Sequence, residues 1–300
     1  MQKITSIGEI LFDVYPNFKK LGGAPFNFIY HVTKLIGKGN FVSRIGKDEN
    51  GTEILSILKT KSISSQFIQV DETHETGEAV PTLNDAKTPD WEIKTNRAYD
   101  FIESTLTLQN LIENNTDCLY FGTLAQRESK SRETIQSLFS SKVKFFCDLN
   151  IRQKFYTKEV LEESLKTADV LKLNEDELKL VNEIFLSDRY DFSKTARSIK
   201  EKFKVDMLCV TLGENGSTIL KDDLENHHEV DIKKEDIVDT VGAGDAFASV
   251  LCIGYLLGVS IEKINKVSSY FASEIVKMNG ALPDDDSIYN KIKTLIFNGA

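Results

Sequence analysis

Along most of the chain, short apolar runs alternate with longer stretches in which apolar residues recur at helical spacing. Lys3–Ile7, Ile10–Tyr15, Phe41–Ile45, Gln66–Val70, Cys118–Gly122, Val143–Asp148, Val170–Leu173 and Met207–Leu212 have the length and composition of strands. Between and after them, helices are predicted from Pro25 to Ile36, from the Asp48-Glu49-Asn50 cap to Lys61, and over Leu106–Asn114, Ser129–Phe139, Lys158–Thr167, Glu175–Glu183 and Phe192–Phe203. Two more, Ile261–Met278 and Ser287–Phe297, close the chain. This alternation implies an α/β fold: a central, mostly parallel sheet with helices on both faces. Such sheets bind ligands at the carboxyl ends of their strands.

Two segments break the alternation. Glu75–Ile102 reads as a hairpin, with strands Thr76–Leu83 and Trp91–Thr95 around a turn-rich loop, Asn84–Asp90. It predicts a small β-sheet lid, formed by about 10–16 and 75–102, on a single domain spanning 1–300. The hairpin could cover a pocket, or pair edge to edge with a second copy in a homodimer. Ser217–Lys221 and His228–Ile232 read as short antiparallel strands, and the pair His227-His228 as a solvated turn.

One stretch stands apart in chemistry. Ala246–Leu257 is apolar on most sides and predicts a buried helix; Asp239-Thr240-Val241-Gly242-Ala243-Gly244-Asp245 leads into it. First-turn amides lack intrahelical partners, and glycines let another group come close. Gly242, Ala243 and Gly244 therefore form a candidate anion site, assisted by the helix dipole. Asp245 would repel that anion unless it takes a proton from a hydroxyl as the anion is transferred. The bland alternative is tight helix–sheet packing with a first-turn acid. The pattern is neither a dinucleotide fingerprint, since Phe247 replaces its third glycine, nor a Walker loop.

Composition adds limits. With 300 residues and 41% hydrophobic content the chain can bury a large core. Its net charge of −9 argues against a nucleic-acid partner, though not against a nucleotide ligand. No apolar run reaches membrane-spanning length, so no membrane partner is expected. Met1-Gln2-Lys3-Ile4 enters a strand directly, without a signal-peptide pattern, so a cytoplasmic location is expected. Cys118, Cys147, Cys209 and Cys252 are scattered in apolar segments and read as buried free thiols.

Other residues carry chemistry in context. Asp13 lies in an apolar strand, where it either faces solvent or receives hydroxyl donors from a ligand. Gly22-Gly23-Ala24-Pro25-Phe26-Asn27 opens a helix after a sharp bend. Asp148-Leu149-Asn150-Ile151-Arg152 follows a strand, and Arg152 suits phosphate or sugar oxygens. Asn174 and Glu177 have capping-box spacing; the alternative is that they hold phosphate-bound Mg²⁺ through water.

Together these pieces resemble the ribokinase-like (PfkB) carbohydrate kinase family over nearly the whole chain. Gly22–Asn27 is similar to the family's N-terminal glycine motif, Asn174 and Glu177 to its Asn-x-x-Glu motif, and Asp239–Asp245 to its Asp-Thr-x-Gly-Ala-Gly-Asp signature. The resemblance implies a ribokinase-like fold and phosphoryl transfer from ATP with Mg²⁺. It makes Asp245 the base and the amides of Gly242, Ala243 and Gly244 the anion hole. It places the sugar on Asp13, Gly22, Gly23 and Asn27, with Arg152 as a further contact. It places the nucleotide by Asn174, Thr211, Gly213, Gly216 and Asn279, and Mg²⁺ by Glu177 through water. It also implies a monovalent cation, K⁺, at Asp239 and the Gly280 region. Thr76–Leu83, Pro89–Ile93 and Ala98–Ile102 look like the flap of bacterial fructokinases, as does the Asp148–Arg152 run, with Tyr99 where Trp is common and Leu149 where Pro is common. D-fructose is thus the expected substrate. A kinase for 2-keto-3-deoxygluconate or another sugar, and a sugar- or nucleotide-binding regulator without turnover, are the alternatives.

Overall fold

The structure is a computed structural model and describes residues 2–83, 89–230 and 232–297. Its central sheet has nine strands: β1 (Ile4–Ile7), β4 (Asn40–Gly46), β5 (Ile68–Asp71), β8 (Cys118–Phe121), β9 (Lys144–Asp148), β10 (Val170–Asn174), β11 (Met207–Thr211), β12 (Ser217–Lys221) and β13 (Leu224–His228), in the order β13-β12-β11-β10-β9-β8-β1-β4-β5. From β11 to β5 every neighbour is parallel; β12 and β13 add antiparallel strands at one edge.

Alternating side chains of the strands feed two apolar layers. Cys118, Tyr120 and Phe146 join one layer with α1 (Ala24–Ile36), α8 (Ala243–Leu256), α9 (Ile261–Ile275) and α10 (Ser287–Phe297). Leu119, Phe121 and Cys147 join the other, with α3 (Leu106–Asn115), α4 (Ser129–Ser137), α5 (Lys158–Thr167), α6 (Glu175–Phe185) and α7 (Phe192–Phe203). A sheet covered on both faces needs such near-continuous apolar strands. Helix α2 (Glu49–Thr60) starts at Asp48, whose carboxylate accepts the Gly51 N–H at 2.7 Å. All four cysteines are buried free thiols, as expected.

A second, four-stranded sheet has the order β3-β2-β6-β7, from β3 (Lys19–Gly22), β2 (Leu11–Val14), β6 (Gly77–Leu83) and β7 (Pro89–Ile93). Its floor is pinned by Asp100 and Arg127. Both side chains are almost inaccessible to solvent, and two parallel N–H···O bonds of 2.8 Å join them.

Several boundaries differ from expectation. β3 was not predicted: Lys19 and Lys20 do not look like a strand, but β2 supplies an antiparallel partner. The second hairpin strand runs Pro89–Ile93 rather than Trp91–Thr95; of the loop Asn84–Asp90, residues 84–88 lie outside the described residues. The last strand is Leu224–His228 rather than His228–Ile232. His227 and His228 therefore sit in an edge strand, not a turn, and the His227 ring bonds the Thr218 hydroxyl at 3.0 Å. α9 ends at Ile275 rather than Met278.

Candidate active site

The parallel strands share one direction, so their carboxyl ends lie along one edge. That edge carries Gly8-Glu9 after β1, Asp148 closing β9, Asn174 closing β10 and Thr211 closing β11. Helix α8 begins above it. Gly242 is its N-cap at φ 80°, a left-handed conformation that glycine adopts without strain, and no side chain caps the helix. The Ala243 N–H reaches Thr240 O at 3.4 Å and the Ala246 N–H reaches Gly242 O at 2.9 Å; among the described residues the amides of Gly242, Gly244 and Asp245 find no acceptor. The helix start is therefore a set of bare donors.

Asp245 sits on that first turn. The Asn27 side-chain amide donates to its Oδ2 at 2.8 Å, linking α1 to α8. Burial, reinforced by Asp148, raises the Asp245 pKa to about 6, against the opposing pull of Asn27, Lys172 and Arg152. Asn27 was expected to face the sugar. In the structure its NH₂ is committed to Asp245, while its buried Oδ1 has no partner in the protein.

Lys172 is a residue the sequence reading missed. Its ammonium donates to both oxygens of buried Asp148 at 2.9 Å, and the Tyr120 hydroxyl donates to Asp148 at 3.2 Å. A Cβ built on Gly244 would lie 3.4 Å from Lys172 Nζ, so the ammonium stands beside the bare amides. Burial opposes its charge, but Asp148, Glu177 and Asp245 outweigh burial and its pKa is raised. A lysine inside the apolar run Val-Leu-Lys-Leu-Asn was the available signal, because a buried charge needs a partner.

The charge of Asp245 acts on Glu9, and that of Arg152 acts on Glu9, Asp13 and Asp245 alike. Gly23, the N-cap of α1 at φ 109°, brings the backbone against Glu9: a Cβ there would lie 2.6 Å from Glu9 O. Beside it, Gly22 leaves room for Asp13, whose Oδ2 would lie 2.9 Å from a Cβ at that position. Burial raises Asp13 to about 6, offset by Arg152 and Lys20 and reinforced by Asp239. Burial raises Glu9 to about 7, offset by Arg152 and Arg127 and reinforced by Asp245. Glu9 is buried with Oε2 unpartnered, whereas Arg152 is exposed and its charge lowers the pKa of all three acids. Glu9 was also missed; an acid directly after the first strand was its only signal.

The capping-box reading of Asn174 and Glu177 holds. Asn174 Oδ1 accepts the Glu177 N–H at 2.9 Å, and Glu177 Oε2 accepts the Asn174 N–H at 2.8 Å. Glu177 Oε1 accepts the Ile151 N–H at 2.7 Å, so each oxygen already holds one donor. Asn174 and Thr211 are register partners, and the Gly213–Gly216 turn follows directly. Asn279, with Tyr270, Met278, Pro283 and Lys291, lines a cavity of about 660 Å³ beside α9 and α10.

Bare amides, a cation beside them and a carboxylate of raised pKa can move an anion onto a neighbouring hydroxyl, which is the chemistry of a phosphotransferase. The chain belongs to the pfkB family of carbohydrate kinases, whose model matches residues 1–287. It is 28% identical over 307 residues to a Pyrococcus horikoshii protein named as a sugar kinase, covering 93% of this chain and 91% of that one. The crystal structure of that protein superposes with a TM-score of 0.81, covering 98% and 99% of the two chains at 25% identity; its complex with ATP gives 0.78 at 24%, with the same coverage. The chain is also 26% identical over 268 residues to a fructokinase of Escherichia coli, covering 84% of each. No described helix is long and apolar enough to cross a membrane.

Glu9 generates a stability prediction. Its pKa is raised on folding from 4.5 to about 7. The folded state thus binds more protons than the unfolded state between those values, and its stability contribution falls as pH rises through them. Glu9→Gln should therefore gain on the parent protein by up to about 3 kcal/mol between pH 4 and pH 8, at about 1.36 kcal/mol per pKa unit. Urea unfolding of both proteins at the two pH values checks this; an equal difference at both would refute it.

Proposed function

We propose that this chain is an ATP-dependent fructokinase that converts D-fructose and ATP to fructose 6-phosphate and ADP. The observation that carries the phosphotransferase part is Asp245, held by Asn27 at the mouth of the uncapped helix α8. The choice of fructose is supported by the flap and the Asp148–Arg152 run that resemble bacterial fructokinases, and by a fructokinase among the relatives. The acid-rich cleft of Glu9, Asp13 and Asp245 favours a neutral sugar over a sugar acid. Two cations of the flap are already paired, Arg97 with Glu75 and Lys94 with Glu92.

In this reading Asp13 and the free Oδ1 of Asn27 accept sugar hydroxyls, with Gly22 and Gly23 giving the sugar room and Arg152 covering it. Asp245 Oδ accepts the proton of the attacking 6-hydroxyl. The new bond runs from that oxygen to the γ-phosphorus. The bond from phosphorus to the bridging oxygen breaks, leaving its electron pair on ADP. The bare amides of Gly242 and Gly244 and the Lys172 ammonium meet the charge of the moving phosphoryl group, and the Ala243 amide joins them by giving up its long bond to Thr240 O. Asn174, Thr211, Gly213, Gly216 and Asn279 border the nucleotide. Phosphate-bound Mg²⁺ would supply further charge neutralisation, and the remaining lone pairs of Glu177 fit its bound waters rather than the ion itself.

An ADP-release screen over fructose, ribose, 2-keto-3-deoxygluconate, adenosine and inosine tests the substrate. Fructose should give the highest kcat/KM by at least tenfold. A preference for another compound would replace fructose, and no turnover with any would leave a binding protein. The acid limb of kcat should fall near pH 6, because Asp245 must be ionised to accept a proton. Asn27→Ala removes a bond that lowers the Asp245 pKa and should move that limb to higher pH. An unmoved limb would dissociate Asn27 from the base.

A further inference from the structure

The small sheet and the phosphoryl end of the cleft meet at one side chain. Lys20 lies on β3 directly opposite Asp13 of β2. Its ammonium stands 4.0 Å from Asp239 Oδ2 and 3.3 Å from the position of a Cβ built on Gly280. It also lies 5.9 and 5.8 Å from the ring centroids of Tyr15 and Phe18, which stack on each other. Asp239 Oδ1 accepts the Val241 N–H at 3.0 Å, and Oδ2 accepts the Gly280 N–H at 2.9 Å. Those bonds join the segment leading into the anion hole to the turn at 279–281, and Gly242 packs directly on Ala281. A cation carried by the small sheet thus lands on the joint that frames the bare amides.

The resemblance implies a monovalent metal ion at this joint, and the residues present do not fit one. Each oxygen of Asp239 holds an amide, and an ion on the remaining lone pairs would lie against the Lys20 ammonium, a charge of the same sign.

We propose that Lys20 is the resident cation of this joint, so that the small sheet, rather than a dissolved metal ion, neutralises Asp239 and sets the anion hole. The physical need is plain: an uncompensated carboxylate behind the bare amides would oppose the phosphoryl charge that they attract. Because Lys20 and Asp13 are cross-strand neighbours, the pairing of β2 with β3 fixes the sugar contact and the cation relative to one another. The inference rests on the proposed reading of the site.

The test measures ADP release and thermal midpoint in choline chloride, NaCl and KCl at equal ionic strength. The parent protein should turn over at the same rate, within about twofold, in all three salts, with no K⁺-specific change in midpoint. Lys20→Met should lose about tenfold or more in choline chloride, regain part of it in KCl, and gain a K⁺-dependent rise in midpoint. Lys20→Arg should stay independent of K⁺. A parent protein that needs K⁺ by tenfold, or whose midpoint rises with K⁺, would overturn the proposal. So would a Lys20→Met variant as active as the parent in choline chloride, or one whose loss and midpoint K⁺ leaves unchanged. Absence of ADP release from the parent with every sugar and salt would defeat the functional reading instead, and the midpoints would still decide the role of Lys20.

Discussion

The structure turns on a carboxylate placed where electrostatics would rather have none charged. Asp245 sits half-buried on the first turn of an uncapped helix, with buried Asp148 nearby. Desolvation and the second acid push its pKa up; the Asn27 amide, Lys172 and Arg152 pull it down. The balance leaves a carboxylate that is ionised near neutrality yet basic enough to accept a proton, which is what the proposed transfer asks of it. Asn27 can reach it only because Gly23 lets α1 start hard against the end of β1.

The surrounding fold holds this balance rigidly. The parallel strands align their carboxyl ends, which sets Asp148 of β9 in register with Lys172 of β10, and Asn174 at the end of β10 in register with Thr211 of β11. The Asp148–Lys172 pair is buried, and such a pair adds little net stability once desolvation is counted. Its value lies elsewhere: it keeps an ammonium oriented beside the amides of α8. Glu177 does similar work on the next loop, tying α6 to the segment after β9. The small sheet and the segment before α8 then meet through Lys20 of β3 and Asp239.

The central sheet was legible because strands buried on both faces must be apolar, and their runs stand out from the amphipathic helices between them. The small sheet was only half legible. β2 and β6 have apolar character, but β3 reads Lys-Lys-Leu-Gly and becomes a strand through pairing with β2. β13, Leu-Glu-Asn-His-His, is a polar edge strand for the same reason. In the site, motif-bearing residues were visible: glycines, and acids at strand ends. Lys172, Glu9 and Lys20 were not, since each acquires its meaning from a partner far away in the chain. The capping box of Asn174 and Glu177 was legible as structure, and its bonds show that one pair of side chains can shape a loop while keeping lone pairs free for solvent.

The central claim is that Asp245 removes a proton rather than binds substrate. Titration calorimetry and steady-state turnover of Asp245→Asn, compared with the parent protein, separate the two most directly. The account predicts that turnover falls by about a thousandfold, within the 10²–10⁴ range that general-base catalysis supplies, while sugar and ATP affinities stay within a few-fold. Turnover close to that of the parent, or a loss fully explained by weakened sugar binding, would contradict it.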